Sequence, residues 1–263
     1  AFVFGMLSAS CQHPAGGSGR LYMPVSGEAR WMSAWHETRQ RRAWLQCAEQ
    51  NFHGIAGAPP DRRDALSRQA TACTRRYLAS VDDSALVHVD ATEIHLAGEH
   101  FDLELWGLSR HLAPAFRFRV ASDVPMPGWR YGPAYRGGFG VPVALLAARC
   151  SDAAICALLP PEGIFRPATA WIEAGKGNGA RPRLVIADPN TSPPFVQAGG
   201  LASDHAAFYM WGTQRSPLKR LGVYALLRGD GAGKRAGLYL LEDYDPRKQP
   251  VIMVHGLGSS PLG

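Results

Sequence analysis

The stretch of the sequence best suited to chemistry runs from Pro250 to Pro261. The unbroken apolar run Val251–Val254 is typical of a central parallel strand, because both faces of such a strand are buried. A glycine-containing loop follows at once, and Ser260 with Pro261 fits the N-cap and first position of a helix. This order directs backbone N–H groups at one point and suits a developing oxyanion. Any α/β crossover with a short glycine loop has the same pattern.

At these residues the sequence resembles the α/β-hydrolase lipases and esterases, in which a strand ending in His-Gly-X supplies half of the oxyanion hole. The resemblance makes the backbone N–H of Leu257 the oxyanion donor and gives His255 and Gly256 the shaping of the loop. The segment Gly237–Pro246 is similar to the hairpin before this strand in predicted bacterial lipase-like proteins with a long N-terminal extension. The resemblance implies hydrolysis of an ester or lipid acyl substrate, without a cofactor.

More weakly, two earlier segments, Gly140–Val143 and Leu184–Pro189, look like parts of that extension. The family orders its triad as a serine in a G-x-S-x-G elbow, then an acid, then a histidine, all after the His-Gly loop. No G-x-S-x-G occurs in the 263 residues, and Ser259 and Ser260 have no partner histidine. We therefore expect an N-terminal portion of a serine hydrolase that ends before its nucleophile and is inactive alone.

The first eleven residues look like the end of an export signal. Ala1–Leu7 is apolar, and the small residues Ala9 and Ser10 precede Cys11, as at a bacterial lipoprotein processing site. Ser8 stands where such a site has leucine. Lipid attachment at Cys11, with membrane anchoring, is weighed evenly against an ordinary secreted or buried N-terminal strand. The expected location is the periplasm or the outer membrane.

An exported protein occupies a compartment that permits disulfides. Apart from Cys11, four cysteines allow three pairings, and the sequence does not choose among them. Their spacing fits no C-x-x-C zinc or redox motif, so free buried thiols are an alternative. These cysteines are Cys47, Cys73, Cys150 and Cys156.

Two further clusters fail as metal or phosphate sites on spacing. The run Gly229–Arg235 has Arg228 where a P-loop needs its first glycine, and Arg235 where magnesium needs Ser or Thr. A group of acids and histidines fits no zinc or calcium template, and alternation along exposed strand edges explains it better. Its members are His88, Asp90, Glu93, His95, Glu99, His100 and Asp102. No metal is predicted.

Composition and charge limit the classes of protein. The 46% hydrophobic content is that of a chain with a packed core. The longest apolar runs fall well short of the ~18 residues that span a bilayer. The formal net charge is +6, but acids and aromatics separate the arginine pairs, which favours solvated helix faces over a nucleic-acid partner. These pairs are Arg41–Arg42, Arg62–Arg63 and Arg75–Arg76.

Apolar spacing predicts two antiparallel helices. Apolar residues recur at helical spacing over Glu28–Phe52, and Asp61 fits the N-cap of a second helix. Neither helix can bury its apolar stripe alone, so we expect the stripes to pack together. The first stripe is Trp31, Trp35, Leu45 and Ala48, and the second is Leu66, Ala70, Cys73, Tyr77 and Val81.

The apolar period then changes to two, which predicts strands. Strands are expected at Val87–Val89, Phe101–Leu105, Phe116–Val120, Val141–Ala148, Ala168–Ile172, Leu184–Ala187, Ala236–Glu242 and Val251–Val254. Of these, Ala168–Ile172 and Leu184–Ala187 are expected to form a hairpin. Helices are expected at Asp204–Trp211 and Leu218–Leu227.

The predicted fold is α+β: a helical hairpin, a β-rich middle and then the first strands of an α/β-hydrolase domain. Residues 1–24 are expected to be a signal-peptide tail and tether, 25–235 the N-terminal extension, and 236–263 the start of the hydrolase domain. An alternative function is a cell-envelope binding or scaffold module whose hydrolase domain is degenerate.

Overall fold

The computed structural model describes residues 27–81, 86–88, 90–108, 115–126, 134–147, 163–175, 177, 180–196, 199–215 and 249. The chain divides into two compact units, Ala1–Thr38 and Arg39–Gly263. In the first unit the described residues are the beginning of helix α1, which spans Gly27–Ile55. Its Thr38 hydroxyl donates to the Ala34 carbonyl at 2.9 Å. The remaining described residues all belong to the second unit.

Helix α2 spans Pro60–Ala79 and begins differently from the prediction. Pro59 is the N-cap residue and makes no side-chain capping bond, while Asp61 lies within the first turn. The predicted N-cap at Asp61 is therefore wrong. Pro60 accounts for the earlier start, because proline lacks an N–H and its fixed φ suits the first helical position. The Asp61 carboxylate instead favours the helix through the dipole at its N-terminus.

The two helices are joined by a disulfide between Cys47 and Cys73, which selects one cysteine pair. Cys150 and Cys156 lie outside the described residues. The predicted second stripe is confirmed at Ala70, Cys73 and Tyr77, which are buried.

The first stripe is confirmed only in part. Leu45 and Ala48 are buried, whereas Trp35 is 49% exposed. The side chain of Trp31 lies outside the described residues. Spacing alone therefore overestimates the length of the buried face of α1.

Nine strands and a third helix complete the described residues. The strands are β1 (Leu86–His88), β2 (Glu93–Leu96), β3 (Glu99–Trp106), β4 (Ala115–Val120), β5 (Tyr135–Arg136), β6 (Val141–Ala147), β7 (Ile164–Glu173), β8 (Arg183–Ala187) and β9 (Ser203–Asp204). A 3-10 turn, Ala121–Asp123, follows β4, and helix α3 spans His205–Arg215.

Seven strands form one sheet in the order β1-β4-β6-β7-β8-β3-β2. All neighbours are antiparallel except β3 and β8, which are parallel. Strands β5 and β9 form a separate antiparallel pair. The hairpin predicted at Ala168–Ile172 and Leu184–Ala187 is confirmed as the antiparallel β7–β8 pair. Four residues separate β1 from β2, so the two edge strands lie near each other and the sheet is strongly curled.

Both faces of this sheet are covered. In β6, Val143 and Leu145 pack in the cluster that includes Leu45 and Tyr77 from the first two helices. The alternate residue Ala144 packs with Trp211 of α3 on the other face. Burial on both faces explains why β6 is an unbroken apolar run.

The α+β class is confirmed, with a mostly antiparallel sheet. The helix predicted over Asp204–Trp211 is confirmed as α3. The predicted helix Leu218–Leu227, both later strands and the whole segment 236–263 lie outside the described residues. No described helix is long and apolar enough to cross a membrane.

Candidate functional site

The residues that the sequence assigns to oxyanion binding are not among those the structure describes. These are His255, Gly256 and Leu257. The lipid-attachment candidate Cys11 and the glycine run 229–235 lie outside the described residues as well. A candidate site can therefore be built only from the described residues.

The acid and histidine cluster has exposed strand positions, as the alternation predicts. His95 and His100 are cross-strand partners in the β2–β3 hairpin, with ring centroids 4.5 Å apart. Glu99 accepts from Arg42 at 2.8 Å, and Glu93 lies 2.6 Å from Arg181. Across the described ranges, no group of three or more His, Cys, Asp or Glu side chains could hold a metal ion.

A second group of charges spans the neighbouring strands β7, β8 and β3. The Nη1 of Arg183 lies 3.0 Å from Glu104 Oε2 and 3.5 Å from Glu173 Oε2. Trp106 Nε1 donates to Glu104 at 2.5 Å. Trp171 Nε1 donates to Glu173 at 2.8 Å, and the two indole rings meet edge to face. Both carboxylates are thus bound to partners within the fold, so this group serves the sheet rather than acid–base chemistry.

A groove of about 580 Å³ lies between α2 and the segments that lead into β6 and β9. Its volume is within the ~300–1,000 Å³ usual for small-molecule sites. One wall is a single face of α2, because its residues recur at intervals of three and four. That wall consists of Arg63, Asp64, Ser67, Arg68, Thr71, Ala72 and Arg75.

The opposite wall is a loop held firmly against α2. The N–H of Gly140 donates to the Thr71 hydroxyl at 3.2 Å. Gly140 has φ +85°, and a Cβ there would lie 2.5 Å from Thr169 Cγ2, so this close approach requires glycine. Phe139 N–H donates to the Gly200 carbonyl, and Ala202 N–H donates to the Phe139 carbonyl, both at 2.9 Å. The groove is therefore already formed by backbone hydrogen bonds.

Aromatic rings form the apolar part of the groove. Phe139 and Phe195 both line it, and their ring centroids are 5.3 Å apart. Behind them, Trp171 lies 5.8 Å from each ring, and Phe52 lies 5.3 Å from Phe195. Edge-to-face packing of this kind holds the rings in place.

Some charged groups of the groove have hydrogen-bond partners within the fold, and others have none among the described residues. Arg63 donates to the Ala58 carbonyl at 3.0 Å. The Asp204 carboxylate caps α3, because it accepts from Ala206 N–H at 2.9 Å and from Ala207 N–H at 3.0 Å. By contrast, among the described residues no hydrogen bond or ion pair engages Arg68 or Arg75.

The described lining includes hydroxyl groups but neither histidine nor cysteine. The lining contains three arginines and two aspartates, one of which caps a helix, so its net positive charge favours an anion. The groove therefore has the groups of a binding site and lacks the nucleophile–base pair of the usual hydrolytic sites.

Sequence reasoning missed this groove. It assigned the arginine pairs of α2 to solvated faces, which holds for the exposed Arg62, Arg75 and Arg76 but not for the half-buried Arg63. The available signal was the stripe of Ser67 and Thr71 beside Arg68 and Arg75, opposite the apolar stripe. Strand pairing decides which loops cover that stripe, and the spacing of residues in the sequence does not predict strand pairing.

Outside the groove, burial raises the pKa of Glu49, Tyr77 and Tyr209 above their ordinary values. Burial, with a smaller contribution from the neighbouring Glu99 carboxylate, raises the pKa of Glu49 above its ordinary value. Both glutamates lie where α1 approaches the β2–β3 turn, so the shift belongs to packing rather than to the groove.

Comparison with known proteins adds no relative: no family model, no curated protein and no solved structure matches the chain.

Proposed function

We propose that this chain is part of an exported serine hydrolase of the lipase or esterase type. The observation that carries the proposal is the apolar run Val251–Val254 followed directly by His255, Gly256 and Leu257. In this proposal a serine attacks the carbonyl carbon of an ester, and the Leu257 N–H donates to the resulting oxyanion. Collapse releases the alcohol and leaves an acyl-enzyme, which water then hydrolyses to a carboxylate.

The described sheet differs from that of an α/β-hydrolase domain, so this proposal places the catalytic domain after it. An α/β-hydrolase domain is built on a mainly parallel sheet, whereas the seven-stranded sheet here has one parallel pair, β3–β8. The residues up to 235 would then form the extension, and the hydrolase domain would begin with the strands expected at 236 and beyond.

The disulfide between Cys47 and Cys73 supports export, because such bonds persist mainly in oxidising compartments. Membrane anchoring through a lipid on Cys11 remains part of the proposal. It is tested by Cys11→Ala in the complete gene: the variant should leave the membrane fraction, and the N-terminal peptide of the wild-type protein should carry the mass of a lipid.

The oxyanion assignment is tested with a matched pair of substitutions in the protein expressed from the complete gene. Leu257→Ala keeps the backbone donor and should retain appreciable turnover of a p-nitrophenyl ester. Leu257→Pro removes the donor, which typically lowers kcat by ~10²–10³-fold. Both proteins must melt like wild type for the comparison to count. Equal turnover by two well-folded variants would show that this loop does not bind the oxyanion.

The groove favours a second candidate, a binding module of the cell envelope. Its walls are preformed and its charges are incompletely paired, which is typical of ligand recognition. Labelling with a fluorophosphonate separates the candidates: the complete gene product should react through one serine if it is a hydrolase. Absence of labelling, with the protein folded, would favour the binding module.

A further inference from the structure

We infer that the groove beside α2 binds a small organic anion whose carboxylate or phosphate head meets Arg68 and Arg75 and whose apolar body covers Phe139 and Phe195. This inference is independent of the hydrolase proposal, since it uses none of the residues 236–263 on which that proposal depends.

The sign of the ligand's charge follows from the α2 wall, where Arg63, Arg68 and Arg75 outnumber the one aspartate, Asp64. Arg68 and Arg75 are seven residues apart, so they lie on one face about 10 Å apart along the helix axis. Their long side chains can reach a head group held between them. Within the described part of the chain neither is engaged in an ion pair, whereas Arg183 in the sheet has two carboxylate partners. Guanidinium groups favour carboxylate and phosphate because their donors match the oxygen spacing.

The apolar body follows from the opposite side of the groove. Phe139 and Phe195 line it together with Val196 and Pro142. A hydrated inorganic ion would leave these groups in contact with water, whereas an alkyl or aromatic body would cover them. Because the rings already pack on Trp171, the surface is present before the ligand arrives.

Ser67 and Thr71 set the position of the head group on the α2 wall. Thr71 lies between the two arginines along the helix, and Ser67 lies beside Arg68 on the same helix face. The Thr71 hydroxyl oxygen already accepts from Gly140 N–H, so its own O–H is directed elsewhere and can donate. The Ser67 hydroxyl is a further donor for an anion oxygen.

The experiment is calorimetric titration of the 263-residue protein with octanoate and with octyl phosphate at low ionic strength. Octyltrimethylammonium serves as the cationic control, and acetate and inorganic phosphate serve as heads without a body. We expect one molecule of each octyl anion per chain and weaker binding at high ionic strength. The tighter of the two octyl anions identifies the head as carboxylate or phosphate. The bare heads should bind at least about tenfold more weakly, because they bury no apolar surface.

Two matched pairs of variants locate the binding. Arg68→Gln with Arg75→Gln should weaken octyl-anion binding by about tenfold or more, because charge-assisted hydrogen bonds are lost. Arg62→Gln with Arg76→Gln removes the same charge from exposed positions of the same helix outside the groove, and should change affinity less than about twofold. Ser67→Trp should block the groove while retaining every arginine, whereas Gln69→Trp at an exposed position should not.

Equal weakening by the two arginine pairs would overturn the inference, because it would show a general charge effect. So would binding of the cation as tightly as the anions, or full affinity in Ser67→Trp with a native melting curve. If Ser67→Trp does not fold, the two arginine pairs decide the matter, since all four side chains are replaced without altering the core.

Discussion

The two faces of α2 have opposite relations to the rest of the fold. One face carries Ala70, Cys73 and Tyr77, which are all buried. Cys73 is bonded to Cys47 of α1, and the Tyr77 hydroxyl donates to the Leu96 carbonyl. The other carries Arg68 and Arg75, which line the groove without an ion pair to any described residue. One face of the helix thus stabilises the fold, and the other lines the groove that we propose as a binding site.

This difference separates satisfied from unsatisfied polar groups. Tyr77 is fully buried, and its hydroxyl donates to the Leu96 carbonyl at 2.9 Å, so its one donor is used within the fold. By contrast, no hydrogen bond to a described residue uses the donors of Arg68 or Arg75. A substitution on the first face should therefore change the free energy of unfolding, whereas a substitution on the second should change binding alone.

The largest effect is expected from a charge placed on the buried face. Ala70 is 2% exposed, so Ala70→Asp should lower the free energy of unfolding by about 4 kcal/mol or more. The matched control is Ala72→Asp on the groove face, expected within about 0.5 kcal/mol of wild type. Urea denaturation followed by circular dichroism measures both. Equal losses would mean that the two faces do not differ as described.

Loss of the disulfide should have the next largest effect. Cys47 and Cys73 are 26 residues apart, and closing a loop of this size stabilises the folded state by about 3 kcal/mol in the chain-entropy account. Cys47→Ala with Cys73→Ala should therefore melt well below wild type without dithiothreitol. Dithiothreitol should lower the melting temperature of the wild type towards that of the variant. A wild-type melting curve for the double variant would contradict the pairing.

Tyr77→Phe should have a smaller effect that depends on pH. The variant removes the hydroxyl that donates to the buried Leu96 carbonyl, which costs about 1–3 kcal/mol near neutral pH. Burial, together with the Glu99 carboxylate, raises the pKa of the Tyr77 phenol above its ordinary value of 10.0. Above pH 10 the unfolded wild-type chain loses this proton while the folded chain retains it, so the wild type loses about 1.4 kcal/mol per pH unit.

The phenylalanine variant has no phenol at this position and therefore no such loss of stability. The stability difference between the two proteins should shrink as the pH rises past 10. Urea titrations at several alkaline pH values measure it, and the other tyrosines cancel because both proteins carry them. A difference that stays constant with pH would show that the folded-state phenol ionises normally.

The smallest effect on stability is expected from the groove arginines. Arg68→Gln with Arg75→Gln should leave the free energy of unfolding within about 0.5 kcal/mol, because no ion pair with a described residue is lost. Differential scanning calorimetry without ligand gives this value. A marked loss would place both arginines in the structural network of α2 rather than in a binding site.

Most of the described elements could be predicted because periodicity records burial. The stripe Ala70, Cys73 and Tyr77 and the unbroken run of β6 both reflect which faces are covered. Trp35 shows the limit, since its spacing matches the stripe although it is 49% exposed. Asp61 shows a second limit: the sequence predicts it as an N-cap, but Pro60 before it already begins the helix.

The groove could not be predicted from the same patterns. Its second wall exists because β5 pairs with β9 and because Phe139 bonds to Gly200, about sixty residues along the chain. A face of serine, threonine and arginine looks alike in a sequence whether water or a loop covers it. Only tertiary pairing distinguishes the two.

The parallel pairing of β3 with β8 also sets an order in time. Asp102 is paired with Arg183, so β3 must wait for about eighty further residues before its neighbour is synthesised. At ~5–20 residues per second, that wait is on the order of 4–16 s. Throughout it, the β3 edge that will meet β8 has unpaired backbone groups beside Leu103 and Leu105. A newly made chain is thus most open to wrong strand pairing, or to capture by a chaperone, between the emergence of these two strands.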